Sequence, residues 1–275
     1  MRALTLGPAG TYSHRAARAV VDEVEFRESV TGIVEAVADG DVERGVIPVE
    51  NSIEGSVTES LDALSDLEVA VVRGVVTPIK HALLARTETF EKVASHAQAL
   101  AQCRSYLERE HSGVDLEAVA STARGVERAR EDPSIAAIGH PDNARESVAG
   151  TDGAELVVLA ENVQDRTSNA TRFFVLAPPA ERSEAGGKSS VIVYPNTNYP
   201  GLLLELLEPF AKRDINLTRA ESRPSGERLG DYIFHLDFAA GLYEARSQEA
   251  LSAVESVASE GWVRRLGSYD VEHVV

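Results

Sequence analysis

Apolar stretches typical of strands alternate with segments of helical periodicity through the first 177 residues, and this alternation constrains the fold more than any other feature of the chain. Strands that alternate with helices along a chain usually form parallel sheets covered by helices. The sequence therefore predicts an α/β fold. In chain order, the alternating segments are 3–6, 13–21, 30–38, 45–49, 57–64 and 69–76.

A second layer of structure is predicted to begin near residue 79. Ser95-His96-Ala97-Gln98 has the spacing of a capping box, and Leu100, Cys103 and Leu107 then fall on one helical face. The predicted elements are a helix at 96–107, a strand at 116–120, a helix at 122–130 and a strand at 136–138.

Residues 178–188 are poor in apolar side chains and contain two consecutive glycines, Gly186 and Gly187, which is typical of a surface linker. The order of the elements after it, β-α-β-β-α-β, predicts a compact two-layer module. These elements are a strand at 190–194, a helix after Gly201, strands at 216–222 and 232–238, a helix at 247–258 and a strand at 263–274.

The chain carries a formal net charge of −17, from 44 acidic and 27 basic residues, and only four of the basic residues are lysine. Such a charge argues against a nucleic-acid partner, because binding to phosphates requires Lys and Arg. It is also typical of adaptation to a salty cytoplasm, where short-range screening reduces self-repulsion; biased codon usage is the alternative. No apolar run reaches the roughly 20 residues of a membrane span, so no membrane partner is expected.

Cys103 is the single cysteine, which excludes an internal disulfide and indicates a reducing, cytoplasmic compartment. The N-terminus becomes polar within a few positions, so we interpret it as a first strand and not as a signal peptide. The seven histidines lack ligand spacing, and Gly7 and Gly10 do not complete a dinucleotide fingerprint. We therefore expect neither a metal nor another cofactor.

Two distant segments carry the functional pattern. Asn169-Ala-Thr-Arg-Phe173 places a hydroxyl donor beside a permanent cation at the start of an apolar strand. Pro48–Val57 is rich in small polar groups suited to holding an anion. Together they predict an enzyme that acts on a small carboxylate, whose attraction to an acidic protein must come from local arginine and helix N-termini.

Six motifs in order make the chain resemble the monofunctional prephenate dehydratases, which carry a C-terminal ACT regulatory domain. Ala97 stands where that family usually has proline, and Leu202 stands where a small alanine is common. The matching stretches are Gly7-Pro-Ala-Gly-Thr-Tyr-Ser13, Val46-Ile-Pro-Val-Glu-Asn-Ser-Ile-Glu-Gly-Ser-Val57, Ser95-His-Ala-Gln-Ala-Leu-Ala-Gln-Cys103, Ser121-Thr-Ala123, Asn169-Ala-Thr-Arg-Phe173 and Glu221-Ser-Arg-Pro224.

The resemblance implies a two-lobed catalytic domain like a periplasmic binding protein, followed by a ferredoxin-like ACT domain. On this basis the first lobe comprises about residues 1–77 and 158–177, and the second lobe about residues 78–157. Residues 178–188 are the linker, and residues 189–275 are the ACT domain.

The same resemblance implies loss of carbon dioxide and water from prephenate to give phenylpyruvate, without a redox cofactor. Thr171 would assist departure of the ring hydroxyl, although a strand threonine bonded to a neighbour is the simpler interpretation. Arg172 would clamp a carboxylate, whereas an ion pair with an acidic residue is the alternative. Adjacent strand residues point to opposite faces, so both can meet one ligand only at a strand end or a bulge.

Further substrate-binding residues follow from the matching motifs, and for several of them helix capping is an equally simple role. Glu50 is expected to be structural, because this elimination needs no base. The candidates, besides Arg172, are Thr11, Ser13, Asn51, Ser52, His96, Asn169 and Phe173.

In ACT domains the matching elements bind phenylalanine at a subunit interface, which implies feedback by L-phenylalanine and a homodimer or homotetramer. The candidate effector-binding residues are Gly201, Leu202, Asn216, Leu217, Glu221 and Ser222. Arogenate dehydratase, whose substrate carries an amine on the side chain, is an alternative to the dehydratase of prephenate. A non-catalytic sensor of amino acids or carboxylates is another.

Overall fold

The structure is a computed structural model that describes residues 1–145 and 154–274, and this part of the chain forms a mixed α/β fold with three β-sheets. The strands are β1 (Arg2–Leu6), β2 (Glu23–Arg27), β3 (Arg44–Asn51), β4 (Gly55–Ser56), β5 (Ala70–Pro78), β6 (Ala82–Ala85), β7 (Lys92–His96), β8 (Asp115–Val119), β9 (Ile135–Gly139), β10 (Val157–Glu161), β11 (Ala170–Ala177), β12 (Lys188–Tyr194), β13 (Leu217–Pro224), β14 (Tyr232–Phe238), β15 (Trp262–Tyr269) and β16 (Val271–His273). The α-helices are α1 (Tyr12–Arg18), α2 (Val30–Ala38), α3 (Thr58–Asp66), α4 (Ala97–Gln102), α5 (Arg104–Glu110), α6 (Thr122–Glu131), α7 (Leu202–Ala211) and α8 (Ala245–Val257). Short 3-10 helices cover Pro141–Ala144 and Pro179–Glu181.

The first sheet has the order β16-β5-β11-β3-β1-β2, with β4 beside β3. β1 is parallel to β2 and β3, whereas β11 runs antiparallel to both β3 and β5. The α-helices α2 and α3 cover one face, where Ile33, Val37 and Leu64 pack on Ile47 and Phe174. The sheet therefore holds the ends of β3 and β11 side by side, and these strands carry the two segments that the sequence singled out.

The second sheet has the order β10-β6-β9-β7-β8 and packs on α4 and α6. The predicted strand and helix positions in this layer are confirmed, except that the helix expected at 96–107 is divided at Cys103 into α4 and α5. The expected return to the first lobe at residue 158 is corrected, because β10 pairs antiparallel with β6. The chain leaves the second sheet only after Glu161.

The third sheet, of order β13-β14-β12-β15, is antiparallel throughout. Its chain order β12-α7-β13-β14-α8-β15 confirms the predicted β-α-β-β-α-β pattern. The single strand predicted at 263–274 is divided into β15 and β16, and β16 pairs in parallel with β5 of the first sheet. A local pattern cannot show this division, because Asp270 is the one residue between the two strands and the partner of β16 lies far away in the chain.

Several long side chains attach the third sheet to the first. The guanidinium of Arg264 donates to the carbonyls of Leu64, Ser65 and Leu67 at 2.7–3.1 Å, which satisfies the end of α3. Arg223 makes a bidentate ion pair with Asp62 of the same helix.

The longest helix in the described part of the chain has 13 residues, and none there could serve as a membrane span.

His235 is buried between the first and third sheets. Because of this residue, we expect the folded protein to lose stability in acid. Its Nε2 lies 3.1 Å from the Ser65 hydroxyl, and burial, followed by the charge of Arg219, lowers the pKa of His235 to about 3. The imidazole thus stays neutral in the folded protein, whereas an unfolded histidine takes up a proton near pH 6.5. This contribution to stability is complete above about pH 6.5 and is lost as the pH falls toward 3.

We expect His235→Gln to flatten the pH dependence of the unfolding free energy between pH 6 and 4, by up to about 1.4 kcal/mol per pH unit. Denaturant unfolding at several pH values measures this slope. His273→Gln is the control, because the His273 side chain is exposed, and it should leave the slope as in the parent. Equal slopes for the parent and the His235 variant would contradict the prediction.

Candidate active site

A cavity of about 480 Å³ lies between the first and second sheets, where the ends of β3 and β11 face α4. Hydroxyl, amide and imidazole groups dominate its polar lining. Glu54 is the carboxylate among the described lining residues, and none of these is lysine or arginine. Attraction of an anion by side-chain cations in the wall, as expected from the sequence, is therefore not what this cavity shows. The predicted residues that line it are Thr11, Ser13, Asn51, His96, Asn169, Thr171 and Phe173.

Thr171 stands second in β11, between Asn51 of β3 and Thr77 of β5 in the hydrogen-bonded ladder. Its side chain is half-buried in the cavity wall, and its Oγ1 accepts a hydrogen bond from Asn51 Nδ2 at 3.0 Å. Because the hydroxyl acts as the acceptor in this bond, its own proton remains available for a ligand. Phe173, two residues further along the strand, lines the cavity on the same face.

A chain of side-chain amides holds Thr171 in place. Asn51 Nδ2 also donates to Asn169 Oδ1 at 3.0 Å, and Asn169 Nδ2 donates to Gln102 Oε1 at 2.8 Å. Asn51 Oδ1 accepts from the backbone N–H groups of Ile53 and Glu54, which orients the amide and fixes its donor toward Thr171. Every hydrogen-bonding atom of the Asn51 side chain is therefore used in building the site.

Residues near the second sheet extend this network across the cavity. Gln102 Nε2 donates to Glu54 Oε1 at 3.1 Å, and His81 Nε2 lies 3.1 Å from Gln102 Oε1. Burial lowers the pKa of His81, so this ring is neutral at pH 7. Tyr12 donates to the Lys80 carbonyl at 2.6 Å, and burial raises its pKa, so the phenol keeps its proton.

Thr11 and His96 have the two roles that the sequence left open. Thr11 Oγ1 caps α1 by accepting from His14 N at 3.2 Å, and His96 Nδ1 accepts from Gln98 N at 3.4 Å at the start of α4. Both side chains also line the cavity, as does Ser13. Capping and exposure to the cavity are compatible because each residue stands at a helix start.

Ser52 lies outside the cavity, which corrects its expected place in the site. Its hydroxyl donates to the Ser168 carbonyl at 2.9 Å and accepts from Ala170 N at 3.0 Å. The two-residue strand β4 separates it from α3, so Ser52 does not stand at a helix N-terminus. It instead joins the loop after β3 to the segment that leads into Thr171.

Arg172 also lies away from the cavity, and the expectation that it clamps a substrate carboxylate is corrected. Its Nη2 makes ion pairs with Glu50 at 2.8 Å and with Asp237 of the third sheet at 2.6 Å, and its side chain is 8% exposed. The reason is strand alternation, since Thr171 and Phe173 occupy the cavity face of β11. The alternative interpretation, an arginine paired with acidic residues, describes what is observed.

The candidate effector residues lie on one helix start and on the edge strand of the third sheet. Gly201 precedes α7 with φ of 99°, a conformation that favours glycine. Glu221, on β13, accepts a hydrogen bond from the hydroxyl of Ser56 at 3.1 Å, and Ser56 lines the cavity. The remaining candidates are Leu202, which is buried in α7, Asn216, which is exposed before β13, and Leu217 and Ser222 on β13.

Gln102, His81 and Tyr12 are cavity residues that sequence reasoning missed. Gln102 and Tyr12 lie inside motifs already recognised, Ser95–Cys103 and Gly7–Ser13, so the signal for both was present. His81 follows a strand-like segment, and nothing in that segment indicates that the His81 side chain lines a cavity. Among the described residues, no group of three or more His, Cys, Asp or Glu is arranged to hold a metal ion.

Comparison with known proteins identifies the family to which this chain belongs. The family model for prephenate dehydratase matches residues 3–181. The prephenate dehydratase of Methanocaldococcus jannaschii is 34% identical over 96% of this chain and 96% of its own length, and that of Lactococcus lactis subsp. lactis is 33% identical over 98% of both. A prephenate dehydratase from Arthrobacter aurescens, crystallised in complex with L-Phe, has a TM-score of 0.88 at 32% identity, over 98% of this chain and 90% of its own. The chain therefore belongs to the prephenate dehydratase family.

Proposed function

We propose that this chain converts prephenate into phenylpyruvate, carbon dioxide and water, with Thr171 as the catalytic residue. The observation that carries the proposal is the orientation of the Thr171 hydroxyl. It lines the cavity and accepts a hydrogen bond from Asn51, which leaves its proton available to a ligand in the cavity. The family match over residues 3–181 includes this strand.

The reaction requires that the substrate be oriented and that the departure of its ring hydroxyl be assisted. As the ring carboxylate departs as carbon dioxide, its bonding electrons enter the ring and the carbon–oxygen bond to the ring hydroxyl breaks. The departing hydroxide takes a proton to become water, and Thr171 donates the hydrogen bond that stabilises it. An aliphatic hydroxyl is a donor here and not a strong acid, so the proton finally comes from solvent. A single hydrogen-bond donor placed where charge develops in the transition state is typically worth about 10²–10³-fold in rate.

The substrate is held in this proposal mainly by neutral donors. Hydrogen bonds from hydroxyl and amide groups are stronger in the low local dielectric of a protein cleft than in water. A smaller adjoining cavity of about 270 Å³ shares Gln102 and Asn169 with the main cavity and is also lined by Arg166, a cation close to the site. The proposed substrate-binding residues are Thr11, Ser13, Asn51, His96, Asn169 and Phe173.

For the domains, we propose two catalytic lobes around this cavity, a linker at 178–188 and a C-terminal ACT domain. The separate first and second sheets and the β-α-β-β-α-β order of the third support this division. β16 modifies it, because this strand returns to the first sheet. We place the enzyme in the cytoplasm, since its cysteine, Cys103, is buried and free.

We further propose that L-phenylalanine binds at the start of α7 and along β13 and lowers activity. The Arthrobacter aurescens relative was crystallised with L-Phe. The hydrogen bond from Ser56 to Glu221 connects this strand directly with the cavity wall. β13 is an edge of the third sheet, and Leu203 and Leu204 on α7 are 47% and 69% exposed, which favours a homodimer or homotetramer through this side.

The test is to incubate the purified protein with prephenate and, separately, with arogenate. We expect phenylpyruvate from prephenate, and a lower rate when phenylalanine is present. An enzyme for arogenate would form phenylalanine instead, because the side-chain amine is retained. A sensor would bind without turnover, and that result would overturn the proposal. Assays at low and high salt address the acidic composition, since screening changes the repulsion of an anionic substrate.

A further inference from the structure

Asp237, a fully buried carboxylate of the third sheet, is the centre of a cluster of charges behind the cavity wall. Its Oδ2 accepts hydrogen bonds from Arg172 at 2.6 Å and from Arg219 at 2.9 Å. Its Oδ1 accepts from Arg219 at 3.2 Å and from Ser190 at 2.6 Å. With Glu50 on the other side of Arg172, two guanidinium groups face two carboxylates, and the ammonium of Lys188 lies close enough to interact with all four.

This cluster lies directly behind the pair that forms the proposed catalytic centre. In the ladder between β11 and β3, Thr171 stands opposite Asn51, and Arg172 stands opposite Glu50. The front pair is joined by a 3.0 Å hydrogen bond and the rear pair by a 2.8 Å ion pair. Adjacent residues of β11 and β3 are thus joined by side-chain contacts on both faces of the sheet.

The ladder between β11 and β3 is irregular at this position. Its register shifts between Arg172 and Phe173, so regular pairing further along the strand does not fix how Thr171 meets Asn51. Arg172 Nε and Nη1 are buried and have no hydrogen-bond partner among the described residues. Nη2, held by Glu50 and Asp237, is therefore the nitrogen through which carboxylates anchor this side chain.

We propose that Asp237 is a positioning residue for the reaction, which holds the hydroxyl of Thr171 and the amide of Asn51 in register through Arg172 and Glu50. The inference rests on the proposed function, because it assigns Thr171 the catalytic role. Asp237 belongs to β14. The third sheet therefore supports the active site of the same chain from the face of the first sheet that is opposite to the cavity. A displacement of about 1 Å in a catalytic group can cost about 100-fold in rate, which sets the size of the expected effect.

Asp237→Asn tests this inference, because it keeps the shape and removes the charge. We expect kcat for prephenate to fall by about 10- to 100-fold while KM changes less than about threefold. Asp231→Asn is the matched control. Asp231 is also a largely buried carboxylate beside β14 and pairs with Arg228, but it has no contact with the cluster, so its variant should keep the parental kcat.

A double-mutant cycle separates positioning from general damage. If Asp237 acts through the Thr171 hydroxyl, Asp237→Asn should cause no further loss of kcat in a Thr171→Ala background. An equal loss in both backgrounds, or a folded Asp237 variant with parental kcat, would overturn the inference. If that variant does not fold, Glu50→Gln replaces it in the same cycle, because Glu50 is 37% exposed and also anchors Arg172. Turnover of prephenate by the parent tests the proposed function separately.

Discussion

Replacing Thr171 with alanine should lower kcat for prephenate by about 10²–10³-fold and change KM by less than about threefold. The hydroxyl is the group that we expect to donate to the departing oxygen, and that bond gains strength only as charge develops there. The remaining lining of the cavity is unchanged, so the substrate still binds. Steady-state formation of phenylpyruvate measures both constants.

Thr77→Val is a matched control for the Thr171 variant. Thr77 faces Thr171 across the ladder, is buried, and its hydroxyl has no hydrogen-bond partner in the described part of the chain. Valine has the same shape, so we expect parental turnover. Thr171→Ser should retain part of the activity because it keeps a hydroxyl. Parental turnover in Thr171→Ala would show that this residue is not catalytic.

Asn51→Asp should lower kcat/KM by at least about 100-fold, with an increase in KM as well as a loss of kcat. The carboxylate can still accept from the N–H groups of Ile53 and Glu54, so the loop keeps its shape. It cannot donate to Thr171 or to Asn169, and it brings a negative charge against an anionic substrate. An unpaired, half-buried charge of this kind costs about 2–3 kcal/mol, which corresponds to the predicted 100-fold loss.

The increase in KM distinguishes this prediction from that for Thr171→Ala. Asn198→Asp makes the same chemical change at an exposed position of the third-sheet region and should leave both constants as in the parent when phenylalanine is absent. The comparison therefore separates the position of the new charge from its presence. Unchanged KM in Asn51→Asp would mean that the substrate carboxylates do not approach this side chain.

Much of the fold could be predicted because its elements are built from local patterns. The helix α2 has an apolar stripe and begins after Ser29, whose hydroxyl accepts from Gly32 N, and its bounds coincide with the segment 30–38 that the sequence singled out. The alternation of strands and helices gave the α/β class, and the order of the last six elements was predicted as well. The strands β2 and β7 were among those missed, because β2 is largely exposed and Val93 is the one large apolar side chain of β7.

The candidate site was predicted unevenly for a physical reason. Thr171, Asn51 and Asn169 stand in motifs and were expected to meet, and the structure joins them by hydrogen bonds. Arg172 stands in the same motif, but the direction of its side chain depends on which face of β11 is turned to the cavity. A motif gives residue types and spacing, whereas the face of a strand is set by what packs on each side of the sheet.

The sequence by itself determined the alternating elements, the β-α-β-β-α-β order of the C-terminal part and the residue types that meet at the cavity, because these depend on periodicity and on short motifs. Only the tertiary structure decided that Arg172 faces Asp237 and that β16 returns to the first sheet. It also decided that neutral donors line the cavity. Each of these depends on pairing between segments far apart in the chain, and no local pattern encodes the partner.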